Sequence, residues 1–353
     1  MIGIDNWEER KAHYEEYWNY SNGIPLIAIS APKDGAVYDY ETPDDNYQGI
    51  FDTQMEIRNN RKYFYNTYFG GDSYPYIAPT LGTDLISGIL GLELHYNETS
   101  SWVKHLDCDL AEITDFTPDP DNFYLNRMDK ILQELTEDAK NGDYVVAMVD
   151  LNTLMDGVSS LVGPQKLCLE MIDSPEEVKR VTKEHIKLYK DVFNRYDRIV
   201  TRYQKGNTNW LGIYSDVPWY FISNDFMVMV SGDFFDEFIE EPLRDVAAFH
   251  KRNLFHLDGE NAVMHLDRIL QIGEISGVQV QATPAVQSVE FWMPHLKKIQ
   301  RAGKMTWIEA RDDDEVMQLL RNLEPEGLFI RTWAGTQEQA VRTEKKLRQY
   351  YGR

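Results

Sequence analysis

The segment His256-Leu257-Asp258-Gly259 packs the most chemistry into the shortest stretch of the chain. If it closes a β-strand, His256 and Asp258 stand at i and i+2 and point to the same side, with Gly259 permitting a tight turn just beyond them. An imidazole and a carboxylate converging in this way can hold a metal ion or activate a nucleophile. They can equally be a histidine that hydrogen-bonds and orients its own aspartate. A catalytic metal needs at least one more N, O or S donor, and Glu309, at the end of another apolar run, is the expected third ligand. Asp72 sits in Gly70-Gly71-Asp72-Ser73-Tyr74-Pro75, where two glycines let backbone approach a ligand closely. Its carboxylate is expected to be catalytic, a plain turn being the other reading. Ser223-Asn224-Asp225-Phe226 reads as a substrate-binding loop or as a helix cap. Tyr214, Asn224, Asp225, Gln281, Arg331 and Trp333 are the residues expected to contact substrate. The aromatic residues between Tyr38 and Tyr96, with Trp210, Tyr214, Trp219 and Tyr220, form either a ligand wall or core.

The elements that must position these residues alternate. Asn253–Asp258, Val278–Ala282, Met305–Glu309 and Gly327–Arg331 read as buried strands, and Ala262–Ile272, Val289–Ala302 and Asp314–Leu323 between them carry apolar residues at i, i+3, i+4 and i+7. Upstream, Ile24–Ser30, Tyr144–Asp150 and Trp210–Tyr214 read as strands, with a weaker one around Asp72–Tyr76. Ser174, Pro175 and Glu177 have the signature of a helix start with a capping box. Eight strands with intervening helices predict a (β/α)8 TIM barrel. Residues 1–353 are then one barrel domain, with a helical extension over residues 1–23 and an elaborated βα region from Asp34 to Trp102. In such a fold the loops after the strands carry function, and that is where Ser30, Asp150 with Asn152, Asp216, Thr283 and Arg311 join the residues above.

Composition narrows the classes. The 353 residues hold 36 Lys and Arg against 58 Asp and Glu, a net charge of −22. Binding through phosphate neutralisation is therefore not expected, and nucleic acid is excluded as a partner. Hydrophobic residues at 42% and aromatics at 12% exclude a disordered acidic chain. Cys108 and Cys168 offer neither a disulfide framework nor a CxxC motif. The first residues lack an apolar signal-like core, and no apolar run approaches the roughly 18 residues of a membrane span. A cytoplasmic protein without membrane partners is the expectation. No P-loop, GxGxxG, HExxH or GxSxG pattern occurs.

The segment Ser231–Leu270 (SGDFFDEFIEEPLRDVAAFHKRNLFHLDGENAVMHLDRIL) resembles the uroporphyrinogen decarboxylase superfamily, in which a similar helix precedes a strand ending His-x-(Cys or Asp)-Gly. Asp72–Glu93 with Gly82 and Leu90-Gly91, Leu161–Pro175 and Arg301-Ala302-Gly303-Lys304 extend the resemblance to residues from about 20 to 350. Tyr17-Trp18-Asn19 before Ile24-Pro25-Leu26 resembles the opening of relatives linked to corrinoid methyl transfer. The resemblance implies a (β/α)8 barrel and one of two chemistries. Decarboxylases of the family carry an arginine-rich N-terminal motif. Here the matching Ile27–Lys33 has no arginine, while Asp72 falls where their catalytic aspartate is expected. The methylcobamide:coenzyme M methyltransferases, similar to cobalamin-independent methionine synthase, use zinc held by His-x-Cys and a later Cys. Here His256 matches, Asp258 replaces the first Cys, and Arg331-Thr332-Trp333 stands where the last would lie. The resemblance thus implies a methyltransferase-type enzyme with a divalent metal such as zinc at His256, Asp258 and Glu309. Its substrate would be a small molecule or a methylcorrinoid, with a corrinoid protein as partner. A decarboxylase and a non-catalytic corrinoid- or tetrapyrrole-binding barrel are the alternatives. The aromatic surface adds a homodimer as an expectation.

Overall fold

Alternating apolar strands and amphipathic helices predict a parallel sheet, and the computed structural model, which describes residues 1–42, 51–97 and 100–352, contains one. Its strands in chain order begin with β1 (Leu26–Pro32), β2 (Thr67–Gly71), β3 (Tyr76–Ile77), β4 (Leu94–Tyr96), β5 (Ser101–Val103) and β6 (Val145–Val146). β7 (Trp219–Ile222), β8 (Arg252–Asp258), β9 (Gly277–Gln281), β10 (Met305–Ala310) and β11 (Leu328–Trp333) follow. Seven of them form a sheet in the order β2-β1-β11-β10-β9-β8-β7, in which only β2 is antiparallel. β3 and β6 make a separate parallel pair, and β4 and β5 a small hairpin. Eight strands thus lie in parallel ladders, six in the large sheet and two in the β3–β6 pair, and the ladders do not close on one another among the described residues. Breaks fall between β1 and β3 and between β6 and β7.

Both breaks are spanned by irregular chain. At the first, Gly71 pairs with Ala28 and the Asp72 amide donates to the Ile27 carbonyl at 2.8 Å. At the second, the Met148 amide donates to the Thr208 carbonyl at 2.8 Å, and the Tyr220 hydroxyl donates to the Val149 carbonyl at 2.8 Å. Trp210–Tyr214, expected to be a strand, is a turn that crosses this region. Its Trp210 carbonyl accepts from the Tyr76 hydroxyl and from Arg331, each at 3.0 Å, and its Leu211 carbonyl accepts from the Trp307 indole at 3.3 Å. The run is apolar because it is enclosed. Its backbone cannot be a strand, since Asn209 Oδ1 caps Leu211 N at 3.0 Å and Gly212 has φ +74°. The true strand is β7, five residues further on.

The helices lying wholly among the described residues are α1 (Trp7–Trp18), α2 (Thr53–Asn66), α3 (Leu85–Ile89), α4 (Phe123–Asp138), α5 (Leu154–Val162), α6 (Pro164–Asp173) and α7 (Pro175–Val200). After these come α8 (Gly232–Phe238), α9 (Glu240–Phe249), α10 (Leu266–Gln271), α11 (Val289–Arg301), α12 (Asp313–Asn322) and α13 (Gln337–Tyr350). The elaborated region from Asp34 to Trp102 contains α2, β2, β3, α3 and β4 and reaches into β5; its residues 43–50 and 98–99, the first of these also within the aromatic stretch from Tyr38 to Tyr96, lie outside the described residues. Two expectations change here. Ala262–Ile272 is a 3₁₀ turn over Glu260–His265 leading into the shorter α10. α7 starts at Pro175 as expected, but no capping box forms, because Arg180 takes the Glu177 carboxylate at 2.7 Å.

The N-terminal ends of the parallel strands are sealed by α1. Tyr14, Tyr17 and Trp18 are buried; the Trp18 indole donates to the Tyr214 carbonyl at 2.9 Å and its ring meets Trp219 at 5.1 Å. Asp72 lies at this end, not among the loops after the strands. Its Oδ2 accepts the Ile27 amide at 2.8 Å and its Oδ1 meets His13 Nδ1 at 2.7 Å, while His13 Nε2 donates to the Ile24 carbonyl at 2.9 Å. Placed here with these partners, the Asp72 carboxylate pins α1 to the start of β1 and lies away from the loops after the strands. Gly71 before it is obligatory, since φ is +56° and a Cβ would stand 2.1 Å from the Ile27 carbonyl oxygen.

Burial alone would lower the His13 pKa, but the hydrogen bond and charge of Asp72 overcome it and raise it from 6.5 to about 9. The protonated form belongs to the folded state, so its contribution is complete below pH 6.5 and is lost as pH rises through about 9. At about 1.4 kcal/mol per unit it amounts to at most about 3 kcal/mol. Urea unfolding of the wild type and H13Q should show a stability gap that is widest at pH 6 and nearly closed at pH 9.5. A gap independent of pH would refute the ion pair.

Candidate active site

The C-terminal ends of the strands frame a cavity of about 460 Å³ lined by Asp84, Asp150, Asn152, Asp156, Trp210, Phe221, Asp225 and His256, among others. β8 supplies its centre. Five of its seven residues are buried, and His256 pairs in register with Gln279 of β9, as Asp258 does with Gln281. His256 Nδ1 donates to Gln279 Oε1 in a close contact, and Gln279 Nε2 donates onward to Gln281 Oε1 at 3.1 Å. Gln279 is fully buried, so this chain of amides has no competing water. Facing an amide oxygen, Nδ1 is the donor of this contact, and Nε2 has no partner among the described residues.

β7 supplies the second part. Its strand ends at Ile222, and the following 3₁₀ turn starts at Asp225. Two clasps tie this turn to the first turn of α5. The Asp156 carboxylate accepts the amides of Asp225 at 2.9 Å and Phe226 at 2.8 Å, and Asn224 Oδ1 accepts the Met155 amide at 3.2 Å. α5 itself begins with Leu154 at φ +57°, a left-handed conformation that costs a branched residue roughly 1–3 kcal/mol. The strain is tolerated because these clasps and complete burial of Leu154 hold it.

Together the two strand ends bring ligand atoms of Asp225, His256 and Asp258 within 4.8 Å of one another. His256 and Asp258 thus converge as the spacing requires, but the third member is Asp225 instead of Glu309. Glu309 is committed elsewhere, accepting from Arg331 Nε at 3.0 Å across the β10–β11 pair. Withdrawing it would strand a half-buried guanidinium held between the Trp307 and Trp333 rings at 4.7 and 5.0 Å.

The expected substrate residues divide. Asp225 lines the cavity, whereas Asn224 is buried behind it as a clasp. Gln281 is the outer link of the His256 relay. Arg331 and the half-exposed Trp333 line a separate hollow of about 250 Å³. Tyr214 belongs to the opposite end of the sheet, where its hydroxyl donates to the Lys205 carbonyl and its ring meets Trp7 at 5.0 Å. Asp84 and Asp156 were not singled out from the sequence. No pattern marks Asp84, and Asp156 stands four residues after Asn152 inside a helix whose start lacks a side-chain cap.

Electrostatically the cavity is acidic, with Asp84, Asp150, Asp156 and Asp225 in its wall and neither Lys nor Arg among its lining residues. Burial pushes the Asp150 carboxyl up to about 6, His256 opposing and Asp225 reinforcing the rise. Asp156 and Asp225 are pushed up too, first by desolvation; Asp225 then adds to the rise at Asp156, while His256 opposes that at Asp225.

No family model and no curated protein matches the chain. Thirteen chains of known structure match, among them a methyltransferase from Methanosarcina mazei, which is similar over 98% of this chain and 99% of its own at 11% sequence identity and a TM-score of 0.60. At that identity the likeness is one of fold. No helix among the described residues is long and apolar enough to cross a membrane.

The amide relay generates a test. Q279L should keep the core volume yet free Nδ1, and divalent-ion affinity measured by calorimetry should fall 10–100-fold relative to wild type with the melting transition retained. Unchanged affinity would mean that Gln279 only packs.

Proposed function

We propose that the chain is an enzyme of the uroporphyrinogen decarboxylase-like superfamily, of the methyltransferase type, acting on a small molecule or a methylcorrinoid at the Asp225, His256 and Asp258 cluster. The observation that carries the reading is the cluster itself: three ligand-type side chains from two adjacent strand ends, one oriented by a buried relay, on a fold similar to a methyltransferase. In this reading the two sheets are one (β/α)8 barrel opened at two seams, and the whole chain is that barrel with α1 as its extension.

The donor set fits a divalent ion. One imidazole nitrogen and two carboxylates make a harder site than zinc held by thiolates, suited to zinc, manganese or iron(II). An ion held by Asp225, His256 and Asp258 would supply Lewis-acid stabilisation of negative charge on the methyl acceptor. The chain's own groups do the rest. Asp150, whose carboxyl titrates near 6, is suited to accept the acceptor's proton. Phe221, Trp210 and Phe226 exclude water from one side of the cavity. The decarboxylase reading has less support, since Asp72 lies at the other end of the strands and the cavity offers a polyanion no cationic side chain.

The test uses purified protein loaded with zinc, manganese or iron(II), methylcobalamin as donor and a small thiol as acceptor, followed by the corrinoid spectrum. At least one ion should support turnover, and H256A and D258A should each lower kcat/KM at least 100-fold, about 3 kcal/mol, with an unchanged melting transition. Wild-type rates in both variants would sink the assignment. Coproporphyrinogen formed from uroporphyrinogen would favour the decarboxylase, and tight corrinoid binding without turnover a carrier.

A further inference from the structure

The acids of the cavity are not equally occupied. Asp84 accepts the hydroxyls of Ser160 at 2.6 Å and Ser101 at 3.1 Å, and Asp156 accepts two backbone amides. Asp225 belongs to the cluster with His256 and Asp258. Asp150 is left over: its carboxylate meets the Leu151 amide and feels the charge of His256, and no side-chain hydroxyl or amide among the described residues donates to it. Beside it Asn152, only 8% exposed, lines the same cavity with its Oδ1 lacking any partner. A buried carbonyl oxygen left unpaired costs about 1–3 kcal/mol, so a polar cavity that keeps one is built for a donor that arrives with the ligand. Trp210 and Phe221 add ring surfaces to the same wall.

We propose that the cavity binds an organic cation with an N–H, a protonated amine, by ion pairing to Asp150, hydrogen bonding to Asn152 Oδ1 and cation–π contact with Trp210. In one wall, an acceptor with no partner and a carboxylate held only by a backbone amide call for a donor, and four carboxylates with no Lys or Arg repel anions. The aromatic surface favours an alkyl-substituted ammonium over an inorganic cation. The volume of about 460 Å³ suits a small molecule. This assignment rests on the same cavity being the reaction site, yet uses residues outside the proposed ion cluster, so the two can fail separately.

The experiment is calorimetric titration of the zinc-loaded protein with isobutylammonium and with its neutral counterpart isobutanol. The ammonium should bind at least tenfold more tightly. D150N and N152L should each weaken it at least fivefold, and the two variants together guard against one failing to fold, while zinc affinity stays within twofold. D258N should lose zinc but hold the ammonium within threefold. Equal binding of isobutanol, no binding of either probe, or wild-type ammonium affinity in both D150N and N152L would overturn the inference. Methyl transfer without ammonium binding would overturn it and leave the enzyme assignment standing. Selective ammonium binding without methyl transfer would uphold it and remove that assignment.

Discussion

Desolvation of like charges governs this molecule. Four aspartates around one cavity repel each other and lose water, and no Lys or Arg lines the wall to neutralise them. The fold answers with dipoles. Serine hydroxyls hold Asp84, and the amides that follow β7 hold Asp156, so charge is met by donors that cannot themselves leave. Those same amides belong to the turn that carries Asp225. Electrostatic relief for one aspartate is thus the positional restraint on the next, and the strained start of α5 is held by the same contacts.

The two ends of the parallel strands are built differently. At the N-terminal end the charged and amide side chains find partners, His13 with Asp72, Arg252 with Ser215 at 3.0 Å and Asn22 with the Gly327 amide at 2.9 Å, while the Tyr17 hydroxyl and the Trp219 indole are buried without one. Aromatic rings of α1 fill the space between. At the C-terminal end, Asn152 Oδ1, the Asn224 amide nitrogen and the Trp210 indole are buried without partners, and Asp150 has only a neighbouring amide. What sets the C-terminal end apart is that Asp150, Asn152 and Trp210 border one carboxylate-lined cavity, at the end of the strands where loops carry chemistry in parallel α/β folds.

Much of the frame was legible, and the reasons for the exceptions are physical. Periodicity located β1, β8, β9, β10 and β11 and the helices between the last four, because each buries one stripe against a regular neighbour. It failed at Trp210–Tyr214, where burial comes from the sheets on either side and apolar character carries no information about backbone form. That error hid β7, and with β7 the fact that Asp225 lies three residues past a strand end. Spacing within one strand gave His256 and Asp258, since i and i+2 are related by local geometry. It could not give the partner from a different strand: Asp225 and Glu309 were both strand-end acids, and only the Arg331 pairing across β10 and β11 removes Glu309. Asp72 misled for a related reason, since two glycines and a carboxylate describe a pin as well as a site.

The departures from the resembled zinc pattern form a consistent set. In the proposed ion site carboxylates stand where thiolates would, and His256 is its one nitrogen donor, so the orientation of that ring matters to the site. The Gln279 relay fixes it by accepting a hydrogen bond from Nδ1 on a neutral amide oxygen, adding no further charge to an acidic cavity. A carboxylate partner would have raised the basicity of His256 more, but it would have placed another anion beside Asp225, Asp258 and Asp150. The buried glutamine is therefore the orienting group that the electrostatics of this cavity allow.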